Sequence, residues 1–216
     1  AAIEAAIHEV NRDENVHGCL LFRPLPSFVD ESHMCELLDP KKDIDGITLA
    51  SLASVFTDGH AGYPPATAAA CIQLLDHYQV PLQGKHVVVV GRSLVVGKPV
   101  SMMLLRRNAS VTICHSKTEN LADIMRSADV VICATGRART FGAQFFGPGQ
   151  TVLDVGINFD TNDWFAFDVK SGADDYGEYL ASTGSRDAVV TYTNIDDKPL
   201  DGEARKYCLV RVWTPA

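Results

Sequence analysis

The stretch His86-Val87-Val88-Val89-Val90-Gly91-Arg92-Ser93-Leu94-Val95-Val96-Gly97-Lys98-Pro99 constrains this chain more than any other. An unbroken apolar run that ends in a glycine-bounded loop and opens a helix reads as a buried parallel strand turning into that helix. Such a turn aims backbone N–H groups and the positive helix end at a phosphate. Glycine is needed where a ligand or the next turn comes too close for a Cβ. The spacing Gly91-x-Ser93-x-x-x-Gly97 departs from the general dinucleotide fingerprint Gly-x-Gly-x-x-Gly. A phosphate loop therefore has to be separated from a plain strand-to-helix turn by its surroundings.

Those surroundings repeat the same unit. From Lys85 onward, strands are predicted at 87–90, 110–114, 130–134 and 151–155, with helices at 97–107 and 119–127. Short apolar strands alternating with helices indicate a parallel sheet covered on both faces, wound both ways by right-handed crossovers. The fold class expected is α/β: a Rossmann-like doubly wound parallel sheet over residues 64–216, preceded by a smaller α/β N-terminal domain over residues 1–63 that reads as truncated. Tyr63-Pro64-Pro65-Ala66-Thr67 marks the boundary, with a helix over 68–78 whose Cys71, Leu74, Leu75 and Tyr78 share one side.

Within residues 1–63, Ile3, Ile7 and Val10 share a face of an opening helix that lacks both an initiator Met and a capping residue, as if entered in mid-course. Val16 to Phe22 reads as a buried strand running into Pro24-Leu25-Pro26. A helix is expected over 28–38, a polar loop over 40–46, and a short helix or irregular segment over 47–56. The acidic, turn-rich stretch after Phe159 offers strands at 188–193 and 207–213.

Charge narrows the partners. The chain has 19 basic and 27 acidic side chains and a net charge of −8, which excludes a general basic coat for nucleic acid. The distribution is uneven: residues 1–84 carry 4 basic and 12 acidic groups, residues 85–140 carry 9 and 3, and residues 141–216 carry 6 and 12. An anionic ligand is expected on the basic middle segment. Cysteines 19, 35, 71, 114, 133 and 208 stand singly, mostly in apolar runs, and read as reduced, buried thiols of a cytoplasmic protein, with neither a disulfide framework nor a metal site. No apolar run reaches the roughly 18–20 residues of a membrane span, and no signal-peptide pattern is present.

NAD-specific folds place an acid at the end of the second strand to hold the ribose hydroxyls. Here that end is Cys114-His115-Ser116-Lys117-Thr118, without a carboxylate. Hydroxyls and cations suit a 2′-phosphate, so NADP is favoured over NAD. The alternative, that Ser116 and Lys117 only cap the next helix, stays open at this point. Ligands in open α/β sheets bind at the carboxyl ends of strands. Gly91, Arg92, Ser93, Gly97, His115, Ser116, Thr135, Gly136, Gly156 and Ile157 are accordingly the expected cofactor residues. Asp154 is open between a site acid and a surface or helix-pairing acid.

These segments together resemble the bifunctional methylenetetrahydrofolate dehydrogenase/cyclohydrolase family. Four stretches carry the resemblance: Val16-His17-Gly18 through Pro24-Leu25-Pro26; Lys42-Asp43-Ile44-Asp45-Gly46; Val88 through Pro99 with Cys114 to Thr118; and Asp154-Val155-Gly156-Ile157-Asn158. It implies a two-domain, homodimeric enzyme that binds NAD(P) on its C-terminal domain and a tetrahydrofolate one-carbon derivative between the domains. The implied reaction is NADP-dependent oxidation of 5,10-methylenetetrahydrofolate to 5,10-methenyltetrahydrofolate, followed by hydrolysis to 10-formyltetrahydrofolate. By resemblance Asp45 bonds the pterin ring, Pro24 and Leu25 wall its pocket, and Arg92, Ser93 and Ser116 contact the cofactor.

The chain also departs from the family pattern. The family's Tyr-x-x-x-Lys pair falls upstream of Ala1, the glutamine that supports the lysine is Phe22, and a Pro-Cys-Thr-Pro segment is here Pro65-Ala66-Thr67-Ala68. The Pro-Val-Pro-Gly-Gly-Val-Gly segment is missing, with Thr214-Pro215 reading as its stump. No catalytic residue is therefore assigned. The expected profile is a fragment of a longer enzyme that binds NADP, keeps residual dehydrogenase activity and is impaired as a cyclohydrolase. A degenerate NADP-binding homologue serving as scaffold or sensor, which Phe22 would favour, and an unrelated reductase on the same fold are the alternatives.

Overall fold

Successive valines of one strand point to opposite faces of a sheet, and each face here has its own cover. The strands β1 (His86–Val90), β2 (Ser110–Cys114), β3 (Val130–Cys133) and β4 (Thr151–Asp154) form a parallel sheet in the order β2-β1-β3-β4. Val87 and Val89, with Ile132 and Leu153, pack with residues of two helices, Ala66–His77 and Gly97–Arg106. Val88 and Val90, with Val131, Cys133 and Val152, pack with the helix Leu121–Arg126 and with Phe141. Each valine buried this way contributes roughly 1.5–3 kcal/mol. The computed structural model describes residues 2–137 and 140–155 in full, together with the backbone of four short strands beyond them.

Those strands are β5 (Asn158–Phe159), β6 (Phe165–Ala166), β7 (Ala188–Val190) and β8 (Arg211–Trp213). β8 pairs antiparallel with β4, and β7 with β8, extending the sheet to six strands; β5 and β6 form a separate antiparallel pair. β1 and β3 run side by side, but the chain leaves β1 towards β2 on the other flank. The sheet order therefore reverses between β1 and β3, and a crevice opens outside their carboxyl ends. Asp154, at the end of β4, is only 1% exposed, which excludes the surface-acid reading: an acid on an interior strand has helix and sheet on either side.

The helices are α1 (Ala2–Arg12), α2 (Glu31–Glu36), α3 (Leu49–Thr57), α4 (Ala66–His77), α5 (Gly97–Arg106) and α6 (Leu121–Arg126). α1 buries Ile7 against Met34 and Leu38, with Ile3 and Val10 partly covered. The expected strand over 16–22 does not form. Only Cys19 finds a partner, its N–H donating to the Lys42 carbonyl at 2.7 Å, and one bridge is not a ladder. Phe22 is left 82% exposed.

α2 is shorter than the 28–38 expected because its flanks are spent locally. The Val29 N–H donates to the Pro26 carbonyl at 2.9 Å, and Asp30 caps the helix by accepting from the His33 N–H at 3.1 Å. Thr48 resolves the 47–56 segment in favour of a helix, since its hydroxyl accepts from the Ser51 N–H at 3.1 Å. On α4 the buried stripe is Ala68, Cys71, Ile72 and Leu75; Leu74 and Tyr78, expected on it, pack only partly. Cys35, Cys71, Cys114 and Cys133 are buried thiols and Cys19 is half-buried, whereas Cys208 lies outside the described residues. Among the described residues no helix is long and apolar enough to cross a membrane.

Candidate functional site

Two glycines close the loop at the end of β1. A Cβ on Gly97 would lie 2.1 Å from the Gly91 carbonyl oxygen and 2.8 Å from the Arg92 nitrogen, so α5 starts in contact with the strand end. A Cβ on Gly91, at φ 140°, would meet the Ala134 carbonyl oxygen at 2.4 Å. The strand ends are held level by bonds beyond the regular ladder: Gly91 N–H to Cys114 O at 2.9 Å, Ala134 N–H to Val90 O at 2.8 Å, and Val155 N–H to Cys133 O at 2.8 Å. Arg92, His115, Thr135 and Gly136 thus share the carboxyl edge of the sheet, whereas Gly156 and Ile157 lie outside the described residues.

The phosphate-binding expectation needs one correction. The first-turn N–H groups of α5 are already used: Ser93 Oγ accepts from Val96 and Gly97 at 3.1 and 3.5 Å, Ser93 O accepts from Lys98 at 3.0 Å, and Pro99 has no N–H. Ser93 therefore caps the helix from within the loop. The N–H groups of Arg92, Ser93, Leu94 and Val95 have no acceptor among the described residues and are the ones a ligand can use.

At the end of β2 neither Ser116 nor Lys117 caps the next helix, since α6 starts from Asn120 with no side-chain cap bond. The turn is instead held by Thr118, whose hydroxyl accepts from the His115 N–H at 2.9 Å, and by His115 Nδ1, which accepts from the Lys117 N–H at 3.1 Å. The side chains of Ser116 and Lys117 are left exposed, as is that of Arg92.

The second half of the site is a cleft of about 320 Å³. Arg23, Glu31, Cys35, Glu36, Asp45 and Leu52 line it together with Leu94 and Val95 of the Gly91–Gly97 loop. Pro24 is exposed, and Leu25 packs with the cluster around Ile7; neither lines the cleft. Phe22 does not line it either. Of these lining residues only Asp45 was expected from the sequence; Arg23, Glu31, Cys35, Glu36, Leu52 and the two loop residues were not. A signal existed for Arg23, one of only four cations among residues 1–84.

Two aspartates of one loop have opposite environments. Asp43 is fully buried and accepts from Ile47 N–H at 3.0 Å, Thr48 N–H at 2.9 Å and Ser51 Oγ at 2.7 Å. Burial pushes its pKa up, but these hydrogen bonds outweigh burial and hold it below the usual carboxylate value. Asp45, two residues on, receives no hydrogen bond from any described residue and faces the cleft. Burial pushes its pKa up, Arg23 pulls it back, and the net effect is upward. Gly46, which also lines the cleft, adopts φ 65° against Pro64 and Pro65, where a Cβ would sit 2.4 Å from the Pro65 nitrogen. Burial likewise pushes the Cys35 thiol up, leaving it a neutral part of the wall.

Two family models match: the NAD(P)-binding domain of tetrahydrofolate dehydrogenase/cyclohydrolase over residues 65–181 and its catalytic domain over residues 1–45. The chain belongs to the tetrahydrofolate dehydrogenase/cyclohydrolase family. Family relatives include the bifunctional protein FolD of Carboxydothermus hydrogenoformans, 47% identical over 159 residues, which are 74% of this chain and 55% of that protein. The FolD of Shouchella clausii is 49% identical over 155 residues, 71% of this chain and 55% of the relative. The chain spans about half the length of the curated relatives it matches. Among solved structures, the bifunctional FolD of Campylobacter jejuni superposes with a TM-score of 0.77 at 32% identity, covering 83% of this chain and 62% of the other. The Trypanosoma brucei enzyme, solved with NADP and an inhibitor, gives 0.71 at 29% identity, covering 78% and 60%.

Proposed function

We propose that this chain carries the cofactor loop and the folate cleft of an NADP-dependent 5,10-methylenetetrahydrofolate dehydrogenase. In this reading residues 1–63 contribute the folate side and 64–216 the cofactor domain, and cyclohydrolase activity belongs to the whole enzyme. The observation that carries the reading is the shared wall: the loop framed by Gly91 and Gly97 supplies Leu94 and Val95 to the same cleft that Asp45 faces. A ligand on Asp45 and one along the loop are neighbours, and bringing two reactants together is the main thing hydride transfer asks of a protein.

The residues present fit NADP. The Gly91–Gly97 approach sets the start of α5 directly against the end of β1, and the loop between them keeps N–H groups with no acceptor among the described residues, which a pyrophosphate would use. Arg92, Ser116 and Lys117 would receive the 2′-phosphate at an edge without a carboxylate. NADP, when bound, supplies the hydride acceptor. Asp45, as an acceptor, would hold the amino and amide edge of the pterin. Leu94 and Val95 would keep water from the reacting centre, and Asp43 holds the loop that presents Asp45.

Family membership supports this reading over an unrelated reductase, and the comparisons lend no support to a degenerate scaffold or sensor. A homodimer and a cytoplasmic location complete the proposal, the former checked by sedimentation. The central test is fluorescence titration of the purified chain with NADPH and NADH, followed by calorimetry with tetrahydrofolate and an assay that separates NADPH formation from loss of methenyl absorbance. Tight NADPH binding, weaker NADH binding and a folate complex are expected; folded protein that binds neither nucleotide overturns the proposal.

A further inference from the structure

The Arg23 guanidinium lies between two carboxylates on the cleft wall, Nη1 at 3.9 Å from Glu31 Oε1 and Nη2 at 3.9 Å from Asp45 Oδ2. Glu31 is itself fixed, because its Oε2 accepts from the Leu25 N–H at 2.8 Å. The chain thus builds a short relay, Leu25 to Glu31 to Arg23 to Asp45, that ends in the cleft. At 3.9 Å a guanidinium orients a carboxylate by charge without occupying its lone pairs, so both Asp45 oxygens stay available to N–H donors. The spent acceptors of neighbouring Asp43 show what the loop does when a carboxylate is structural.

We propose that Arg23 is a positioning residue for ligand recognition: braced by Glu31, it turns Asp45 into the cleft as a free acceptor for a heterocycle with an amino group beside a ring N–H. The inference rests on the folate reading above and adds the residue that makes the recognition work in this chain. Its consequence is an acid limit. Asp45 must be ionised to accept two N–H groups, since protonation converts one oxygen into a donor. The groups around it are Arg23, Glu31, Cys35 and Glu36 of α2, and Asp43 of its own loop; Leu94 and Val95 carry no charge. Among these Arg23 is the one cation, so its removal leaves burial and the neighbouring acids to favour protonation.

The test uses the full chain, native and as Arg23→Met and Arg23→Lys. The Asp45 side-chain carboxyl is titrated by carbon-13 NMR, and tetrahydrofolate binding is followed by calorimetry from neutral pH downward. NADPH binding reports that each variant is folded. In Arg23→Met the Asp45 midpoint is expected to move up and tetrahydrofolate affinity to fall about tenfold, with the loss beginning at higher pH than in the native chain. Arg23→Lys is expected to restore most of both, which a purely structural role would not predict; it also serves if Arg23→Met fails to fold. An Asp45 midpoint that stays in place in Arg23→Met, or an unchanged acid limit of binding, overturns the inference while leaving the folate reading intact. Native protein that binds NADPH but no tetrahydrofolate overturns the folate reading and the inference with it.

Discussion

Arg106, in the last turn of α5, donates from Nη2 to the Val55 carbonyl oxygen at 2.7 Å. The same nitrogen reaches the Ser54 carbonyl at 2.8 Å, and Nε pairs with Asp58, which ends α3 in the left-handed conformation at φ 57°. The helix that opens at the cofactor loop therefore finishes by capping the helix whose Leu49 and Leu52 line the cleft. Arg106→Leu takes the donor from the Val55 carbonyl, whereas the Ser54 carbonyl keeps the Gly59 N–H at 2.9 Å, at an expected cost of about 1–3 kcal/mol. For a chain of this size that is a fall in Tm of roughly 2–4 °C per kcal/mol, read by thermal and urea denaturation. Arg106→Lys should recover only part, since an ammonium cannot reproduce the fork.

Gly97→Ala tests the close approach at the cofactor loop. The new Cβ would meet backbone atoms of Gly91 and Arg92, which cannot swing aside as a side chain can. Loss of NADPH binding and destabilisation by about 1–3 kcal/mol are expected. Fluorescence titration checks the first; native affinity in the variant would show that the loop has a different shape in solution.

Cofactor choice should follow charge at the β2 edge. Arg92→Ala is expected to weaken NADPH by roughly tenfold or more while changing NADH little, because a charge-assisted bond to phosphate is worth about 1.5–3 kcal/mol. Ser116→Asp puts a carboxylate where a 2′-phosphate would lie and should reverse the preference. Dissociation constants for both nucleotides decide the matter, and equal losses for the two would remove these residues from phosphate recognition.

Asp43 predicts an acid-sensitive fold. Its carboxyl is held below the usual value in the folded chain, so its contribution is fully present above the unfolded-state pKa of about 3.9 and is lost as pH falls through the lower folded value. Asp43→Asn turns an N–H₂ towards donors and should cost about 1–3 kcal/mol at neutral pH. The variant should also show a shallower loss of stability on acidification. Urea midpoints measured against pH give both; parallel pH profiles for the two proteins would contradict the assignment.

Much of the cofactor half was legible along the chain, for a local reason. Val87 to Val90 and Val130 to Cys133 are continuous apolar runs, and Val152-Leu153 forms a shorter apolar centre between Thr151 and Asp154; strands that apolar need cover on both faces. Val16 to Phe22 looks the same on paper and fails as a strand because no neighbour is in register with it beyond Cys19. Apolarity predicts burial only where a partner exists.

The sheet, the glycine-framed loop and the carboxylate-free β2 edge were written in residue order, since each depends on neighbours a few positions away. Tertiary packing decided the rest. Which of two aspartates in Asp43-Ile44-Asp45 is structural depends on Ser51 arriving from α3, and whether Pro24 or Arg23 meets a ligand depends on where α2 places Glu31. Leu94 and Val95, from the loop before α5, meet Leu49 and Leu52 of α3 at the cleft, and α5 is bound to α3 through Arg106. Side-chain direction and contacts between distant segments are properties of the packed chain, and no spacing along the sequence encodes them directly.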